Sequence, residues 1–146
     1  MKRYLINHNC IYNESKNEIK NTDSAVIIKM TAMKARCLSF IIENANSGVI
    51  DKQTLTSGLW GERGQFISDA NLTQLLYLIR KDLRALGIHD LFMTVPRIGI
   101  RANSSISIET LPAERNEIKK NISRVIFISA FIMTIFFLYL ILNISK

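Results

Sequence analysis

Two neighbouring stretches decide the fold: Ser68–Gly87, SDANLTQLLYLIRKDLRALG, and Phe92–Ala102, FMTVPRIGIRA. Apolar residues in the first stretch recur at the three- and four-residue spacing of one helix face: Leu72, Leu76, Ile79 and Leu83. This spacing predicts an amphipathic helix that Ser68 opens and Gly87 stops. The second stretch has two short extended pieces around a Pro/Gly turn, which predicts a β-hairpin with Arg97 at or near its tip.

The residues before this helix predict a small antiparallel sheet followed by two shorter helices. Short apolar or alternating runs are separated by Asn- and Lys-rich turns, as is typical of strands. The expected strands lie within 4–6, 10–12 and 24–30. Thr31 is expected to cap a helix that runs to about Asn46, and Asp51 a second helix over 52–60. Residues 61–67, with two glycines and charges between them, predict a loop.

The end of the sequence is a different kind of segment. Residues 125–142, VIFISAFIMTIFFLYLIL, carry no charged side chain, and roughly 20 such residues cross a bilayer as a helix. Four basic residues, between Arg115 and Arg124, precede the run and only Lys146 follows it. By the positive-inside tendency, the N-terminal side is expected in the cytoplasm. A buried core helix is the less favoured alternative, because such a helix usually shows a polar stripe.

Length and composition limit the number of domains and the classes of fold that the chain can adopt. The 146 residues, with a net charge of +7, allow one ordinary domain with an appendage and exclude a barrel enzyme of usual size. Two cysteines, Cys10 and Cys37, cannot form a disulfide-dense scaffold and are expected as free structural thiols. The predicted parts are a domain over 1–102, a polar linker over 103–121 in which 106–108 add one extended piece, a transmembrane helix over 122–144, and a short periplasmic tail, 145–146.

The sequence contains no catalytic constellation. His8 and His89 have no second ligand at metal-binding spacing. Gly58, Gly61 and Gly64 follow a G-x-x-G-x-x-G spacing, but no strand precedes them and no Lys-Ser/Thr follows. The prediction is therefore a protein that is not an enzyme, with no catalytic residues, no metal and no cofactor.

The two stretches quoted first resemble the recognition helix and wing of OmpR/PhoB-type winged helix-turn-helix transcriptional regulators. Upstream, residues 47–62, SGVIDKQTLTSGLWGE, are similar to the second helix of that family with its Trp60-Gly61 ending. The TVPR sequence at 94–97 and the single membrane anchor indicate the membrane-bound ToxR/CadC-like branch, here without a periplasmic sensor domain. The resemblance covers about residues 3–102, although Ile100 stands where the family usually has an aromatic residue.

The resemblance implies an α+β fold: an N-terminal antiparallel sheet, three helices and a C-terminal β-hairpin wing, followed by one transmembrane helix. It also implies double-stranded promoter DNA as the partner, with the helix in the major groove, where Gln74 can pair with adenine. Arg97 in the wing is expected to enter a narrow minor groove. Arg80 has two interpretations, a phosphate contact or an intramolecular ion pair with Asp82 or Asp90.

The other candidates follow from their place on the helix or in the family pattern. The full set of expected DNA-binding residues is Trp60, Asn71, Gln74, Tyr77, Leu78, Arg80, Lys81, Thr94 and Arg97. Trp60 is expected mainly as a core residue. The resemblance implies in addition that its indole N–H contacts the DNA backbone. Residues 1–112 hold 14 basic and 10 acidic groups, a surplus of four that suits weak binding aided by tethering.

Several partners remain expectations. Residues 61–67 correspond to the family's contact with RNA polymerase, and membrane lipid surrounds the anchor. Homo-oligomerisation stays open. The signal is expected from a separate membrane or periplasmic sensor, as in a two-component-like pathway, or control is expected through the amount of protein alone. The expected location is the bacterial inner membrane, single-pass, with the N-terminal domain in the cytoplasm. The alternative is a tail-anchored protein-interaction adaptor that uses its winged helix without binding DNA.

Overall fold

The computed structural model describes residues 2–112 and 132–133. The chain divides into two units, Met1–Pro112 and Ala113–Lys146, and the fold below is that of the first. Apart from 132–133, the predicted transmembrane helix and tail lie outside the described residues. Within the described part, no helix has both the length and the apolar character needed to cross a bilayer.

Five antiparallel strands form the N-terminal sheet, in the order β4-β3-β2-β1-β8. Their bounds are β1 Arg3–Ile6, β2 Cys10–Asn13, β3 Glu18–Asn21, β4 Ile27–Lys29 and β8 Ile108–Leu111. The sequence predicted β1, β2 and a strand near β4. It missed β3, because Ile19 is the single apolar residue of that strand and its neighbours read as a polar turn.

Strand β8 corrects the predicted boundary at residue 102. Ile108 lies opposite Ile6 and Thr110 opposite Tyr4 in the register with β1, so the compact unit continues to Pro112. The residues at 103–112 were predicted as linker because a four-residue strand with two apolar side chains gives little local signal. Its stability comes from pairing with a distant strand, which sequence periodicity does not reveal.

Three helices follow the order that the sequence predicts: α1 Ala32–Glu43, α2 Lys52–Trp60 and α3 Asp69–Ala85. Each begins at the predicted cap, since a side-chain oxygen of Thr31, Asp51 and Ser68 accepts a hydrogen bond from the backbone N–H three residues later. Helix α1 ends before the predicted Asn46.

The second sheet has three strands in the order β5-β7-β6: β5 Val49–Asp51, β6 Phe92–Val95 and β7 Gly99–Ala102. Strands β6 and β7 form the predicted hairpin, whereas β5 was not predicted. A Cβ on Gly99 would lie 2.0 Å from the carbonyl oxygen of Ile50, so β5 and β7 approach closely because residue 99 is glycine. Residues Gly61–Phe66 form a short 3-10 helix where a loop was predicted.

The core lies between the helices and the inner face of the N-terminal sheet. The four predicted inward residues of α3 are all buried: Leu72, Leu76, Ile79 and Leu83. Cys10 and Cys37 are free and buried, as predicted. Burial raises the pKa of the Cys37 thiol to about 12 and that of the Tyr12 phenol to about 12.

Candidate nucleic-acid interface

Helix α3 is fixed at its C-terminal end and open along one side. The carbonyl oxygen of Leu86 accepts a hydrogen bond from Asn21 Nδ2 at 2.9 Å and a weaker one from Cys10 Sγ at 3.7 Å. Both donors lie on the inner face of the N-terminal sheet. The end of α3 therefore abuts this sheet, while the residues near Ser68 lie at the opposite end of the helix.

The open face of α3 carries Asn71, Gln74, Tyr77 and Lys81, all of them exposed, with Tyr77 at 56%. Within the described residues, none of these four side chains has a hydrogen bond or ion pair. Leu78 is half-buried beside them. The 3.6-residue period places the four polar groups on one side of the helix, so they can meet one continuous surface, such as the floor of a DNA groove.

The tip of the wing is a tight turn with an unusual backbone. Ile98 N–H donates to the carbonyl oxygen of Val95 at 3.1 Å, and the carbonyl oxygen of Ile98 accepts from the N–H of Lys52 at 3.0 Å. Pro96 precedes Arg97, which is exposed and has a φ of +65°. An arginine in the left-handed region costs free energy that glycine would not. The turn therefore presents the Arg97 side chain at some expense of stability.

Arg80 is half-buried and contacts the first wing strand instead of lying free on the open face. Its Nη2 donates to Thr94 Oγ1 at 2.8 Å, and its Cζ lies 4.5 Å from the ring centroid of Phe92. Burial, with a smaller contribution from Arg84, lowers the pKa of this guanidinium, and Asp90 opposes the shift.

The ion pair expected for Arg80 is formed by another residue. Lys34 Nζ lies 2.5 Å from Asp82 Oδ2, and both side chains are largely buried. Arg80 therefore connects α3 to the first wing strand, an arrangement that neither sequence-based interpretation anticipated. Thr94, also a predicted DNA contact, is its acceptor and remains exposed.

Trp60 is half-buried and packs against the core. It lines a shallow groove of about 320 Å³ that includes part of the open face. The other lining residues are Met33, Ile67, Asn71, Gln74, Leu75 and Leu78. Close to this groove, Phe66 ends the 3-10 helix with 80% of its surface exposed. Sequence analysis did not single out Phe66, although a phenylalanine in an otherwise polar segment was a usable signal.

Comparisons with known proteins agree with this architecture. No family model matches the sequence. The DNA-binding domain of CadC from E. coli superposes with a TM-score of 0.61 over 73% of this chain and 96% of that domain, at 16% identity. The DNA-binding domain of the response regulator AdeR, solved in complex with an intercistronic region, gives a TM-score of 0.55 over 66% of this chain and 95% of that domain, at 15% identity.

One curated protein, YqeI from Escherichia coli K12, described as uncharacterized, is 33% identical over 93 residues. The match covers 62% of this chain and spans about a third, 34%, of that relative.

The structural comparisons define the class of fold. It is a winged helix, and the resemblance predicted from the sequence is confirmed at the level of the fold.

Proposed function

We propose that this chain is a membrane-anchored bacterial transcriptional regulator that binds double-stranded promoter DNA through its winged helix. The observation that carries the proposal is the open face of α3, whose four polar side chains have no partner within the described residues, next to the exposed Arg97 of the wing. No enzymatic activity is part of the proposal.

The chemistry of the open face suits a major groove. An α-helix fits this groove, and the amide of Gln74 can bond both N6 and N7 of adenine. Asn71 lies one turn closer to the start of the helix and has the same functional group. Tyr77 and Lys81 follow along the helix, where a hydroxyl and an ammonium can bond phosphate oxygens.

The wing supplies the second contact. A guanidinium that enters a narrow minor groove gains from the stronger negative potential there. Thr94 and Arg80 lie at the base of the same hairpin, and their hydrogen bond holds β6 against α3. In this proposal Arg80 positions the wing, Thr94 retains a hydroxyl proton to donate to a phosphate, and Arg97 reaches the DNA.

Relatives support this function by analogy. The structures that superpose on this chain are described as DNA-binding domains, and one was solved with a DNA region bound. At 15–16% identity they share the fold with this chain. DNA binding is carried over to this chain because the open face and the wing place polar and basic groups on a winged-helix surface.

Anchoring in the inner membrane is the second part of the proposal. Its support is the uncharged run 125–142, with basic residues before it. Tethering raises the effective concentration of neighbouring copies, so two weak binders can occupy adjacent half-sites and homo-oligomerise there. The signal then reaches the domain from a separate membrane or periplasmic sensor, or through the amount of protein.

A contact with RNA polymerase through residues 61–67 completes the proposal. Phe66 supports this role, because an aromatic side chain that is 80% exposed is a favourable anchor for a protein partner. The same observation favours the second candidate function, a tail-anchored adaptor that binds protein instead of DNA. The groove lined by Met33, Trp60 and Leu78 would then receive a partner's apolar side chain.

DNA binding can be measured with the full chain in lipid nanodiscs, using labelled duplexes enriched from the host genome. We expect the logarithm of affinity to fall linearly with the logarithm of salt concentration. Gln74→Ala and Arg97→Ala should each weaken binding about tenfold, within the roughly 1–3 kcal/mol of one good base or groove contact. Lys2→Ala is the control, because Lys2 is an exposed lysine that pairs with Glu43 and belongs to neither α3 nor the wing.

The adaptor function predicts a different pattern. In that case no duplex binds at any salt concentration, and Phe66→Ala rather than Gln74→Ala abolishes the cellular phenotype. If both α3 and wing variants bind duplexes like the wild type while remaining folded, the assignment of the site is wrong.

A further inference from the structure

The outer face of the N-terminal sheet has a row of three apolar residues and one lysine across four strands, of which Leu5 and Ile11 are half-buried. Leu5 lies opposite Ile11, Ile11 opposite Lys20, and Lys20 opposite Ile27. Alternation along the strands points these residues away from the core, and Ile27 is 51% exposed. We call this row, Leu5, Ile11, Lys20 and Ile27, the outer sheet row.

Charged residues on the same face leave it weakly basic. Arg3, Glu18 and Lys29 alternate with the outer sheet row along their strands. Glu109 on β8 lies opposite Leu5 and extends the row with an acidic residue. Glu18 lies opposite Lys29 in the register, and a carboxylate oxygen of Glu109 lies 4.0 Å from His8 Nδ1. Because Glu18 lies next to Lys29, the positive charges of Arg3 and Lys20 are balanced on this face by one further carboxylate, that of Glu109. Apolar side chains interspersed with basic ones are typical of surfaces that lie on anionic lipid.

This face is on the side of the domain away from the open face of α3. The C-terminal end of the helix meets the inner side of the sheet at Leu86. Gln74 lies twelve residues earlier, which is about 18 Å along a helix axis. A surface that covers the outer sheet row therefore leaves the open face of α3 free for another partner.

The chain leaves the described domain at the edge of this same sheet. Strand β8 ends at Leu111, and the unit ends at Pro112. The uncharged run begins at Val125, thirteen residues further along the sequence. Thirteen residues can span at most about 45 Å, so a membrane that holds the run stays within reach of the sheet.

We propose that the outer sheet row docks on the anionic lipid surface of the inner leaflet and turns the open face of α3 toward the cytoplasm. This inference rests on the anchoring part of the proposed function. The bilayer is favoured over a second copy or another protein because it is the surface to which the exit point at Pro112 is tied. Its negative charge also complements Arg3 and Lys20.

Two exposed isoleucines on different parts of the domain provide a matched test. Ile27→Cys lies in the outer sheet row, and Ile98→Cys lies in the wing turn, with native exposures of 51% and 54%. A thiol-reactive fluorophore will label the introduced cysteine selectively, because Cys10 and Cys37 are buried. The labelled full chain is placed in nanodiscs of phosphatidylglycerol and phosphatidylcholine that contain a nitroxide-headgroup lipid as quencher.

The docked arrangement predicts strong quenching at position 27 and weak quenching at position 98. Quenching at 27 should fall in discs of phosphatidylcholine alone. In the discs that contain phosphatidylglycerol, Lys20→Glu combined with Lys29→Glu should also reduce quenching at position 27, since each lysine near an anionic surface favours the docked state by about fivefold. Lys20→Cys, labelled in the same way, is a second reporter on the same face in case Ile27→Cys does not fold.

The possible failures are separable. Equal quenching at 27 and 98 in chains that resist alkaline carbonate extraction overturns the docking and leaves anchoring intact. Extraction of the wild-type chain by carbonate overturns both anchoring and docking. Loss of duplex binding alone contradicts the DNA-binding part of the proposed function and leaves the quenching result standing.

Discussion

The interior beneath the N-terminal sheet and the open face of α3 treat polar groups in opposite ways. In the interior, the Tyr12 hydroxyl bonds the carbonyl oxygen of Ala35 at 2.8 Å and Ser39 Oγ at 2.9 Å. On the open face, Gln74 and its neighbours have no partner within the described part of the chain. Stability and the proposed recognition therefore depend on separate residues, so we expect that each can be changed with little effect on the other.

Arg80 lies between these regions and tests how separate they are. Its guanidinium belongs to the motif that indicated DNA binding, yet its contacts are with Phe92 and Thr94 inside the domain. The expected effect of a change decreases from the interior outward.

The largest effect is expected from alkaline pH. The folded domain holds the pKa of Cys37 at about 12, against an ordinary 9.0, and that of Tyr12 at about 12, against 10.0. The folded interior favours the protonated thiol and the protonated phenol. The contribution of these two groups to the free energy of unfolding is therefore complete below pH 9 and is lost as the pH rises toward 12. Denaturant unfolding between these limits should show a steep loss of stability, and Cys37→Ala should flatten it. Parallel profiles for the two proteins would contradict the burial of this thiol.

Among substitutions outside the buried core, removal of the Arg80 side chain should cause the largest loss of stability. Arg80→Ala loses the contact with Phe92 and the hydrogen bond to Thr94, and should lower the free energy of unfolding by about 2 kcal/mol. Arg80→Lys should recover little, because an ammonium lacks the planar fork of the guanidinium. Arg97→Ala is the matched control and should change stability by less than about 0.5 kcal/mol. A stable Arg80→Ala variant that binds DNA poorly would instead make Arg80 a direct phosphate contact.

Thr94 should show a smaller effect of the same kind. Thr94→Val keeps the shape but removes the acceptor of Arg80 Nη2, and should cost about 1 kcal/mol of stability. Thr94→Ser keeps the oxygen and should retain most of that stability. Chemical denaturation of the three proteins measures the difference. A loss in Thr94→Ser with none in Thr94→Val would mean that the methyl group, not the hydrogen bond, matters.

The smallest change in stability is expected at Arg97, with an opposite sign. Arg97→Gly relieves the positive φ of the wing turn and should raise stability by about 0.5 kcal/mol. The same variant should weaken DNA binding about tenfold, because the minor-groove cation is lost. Thermal unfolding and duplex affinity, measured on one preparation, separate the two effects. A variant that binds as tightly as the wild type would remove Arg97 from the interface.

Local signals explain what the sequence predicted well. The two faces of α3 follow from helix periodicity, and the starts of all three helices follow from Thr31, Asp51 and Ser68 as caps. The hairpin at 92–102 was found because Pro96 and Gly99 mark its turn. These features depend on residues within a few positions of each other, which is the range over which a single sequence is informative.

Long-range contacts explain what it missed. Strands β5 and β8 have three and four residues and gain their stability from partners far along the chain. Strand β3 pairs with its neighbours β2 and β4 and was missed because its polar residues resemble a turn. The acceptor of Arg80 is 14 residues away in sequence, so no pattern distinguished a positioning arginine from a phosphate contact. The DNA contacts themselves, and the membrane anchor over 122–144, remain predictions.

The central claim, that the open face of α3 reads a duplex, is tested most directly by site-specific photocrosslinking. A benzophenone amino acid replaces Gln74 in one full-length protein and Lys20 in another, and each is irradiated with labelled host duplexes. We predict crosslinks to bases from position 74 and none from position 20. Crosslinks from position 20 alone, or protein but no DNA adducts from position 74, would contradict the account.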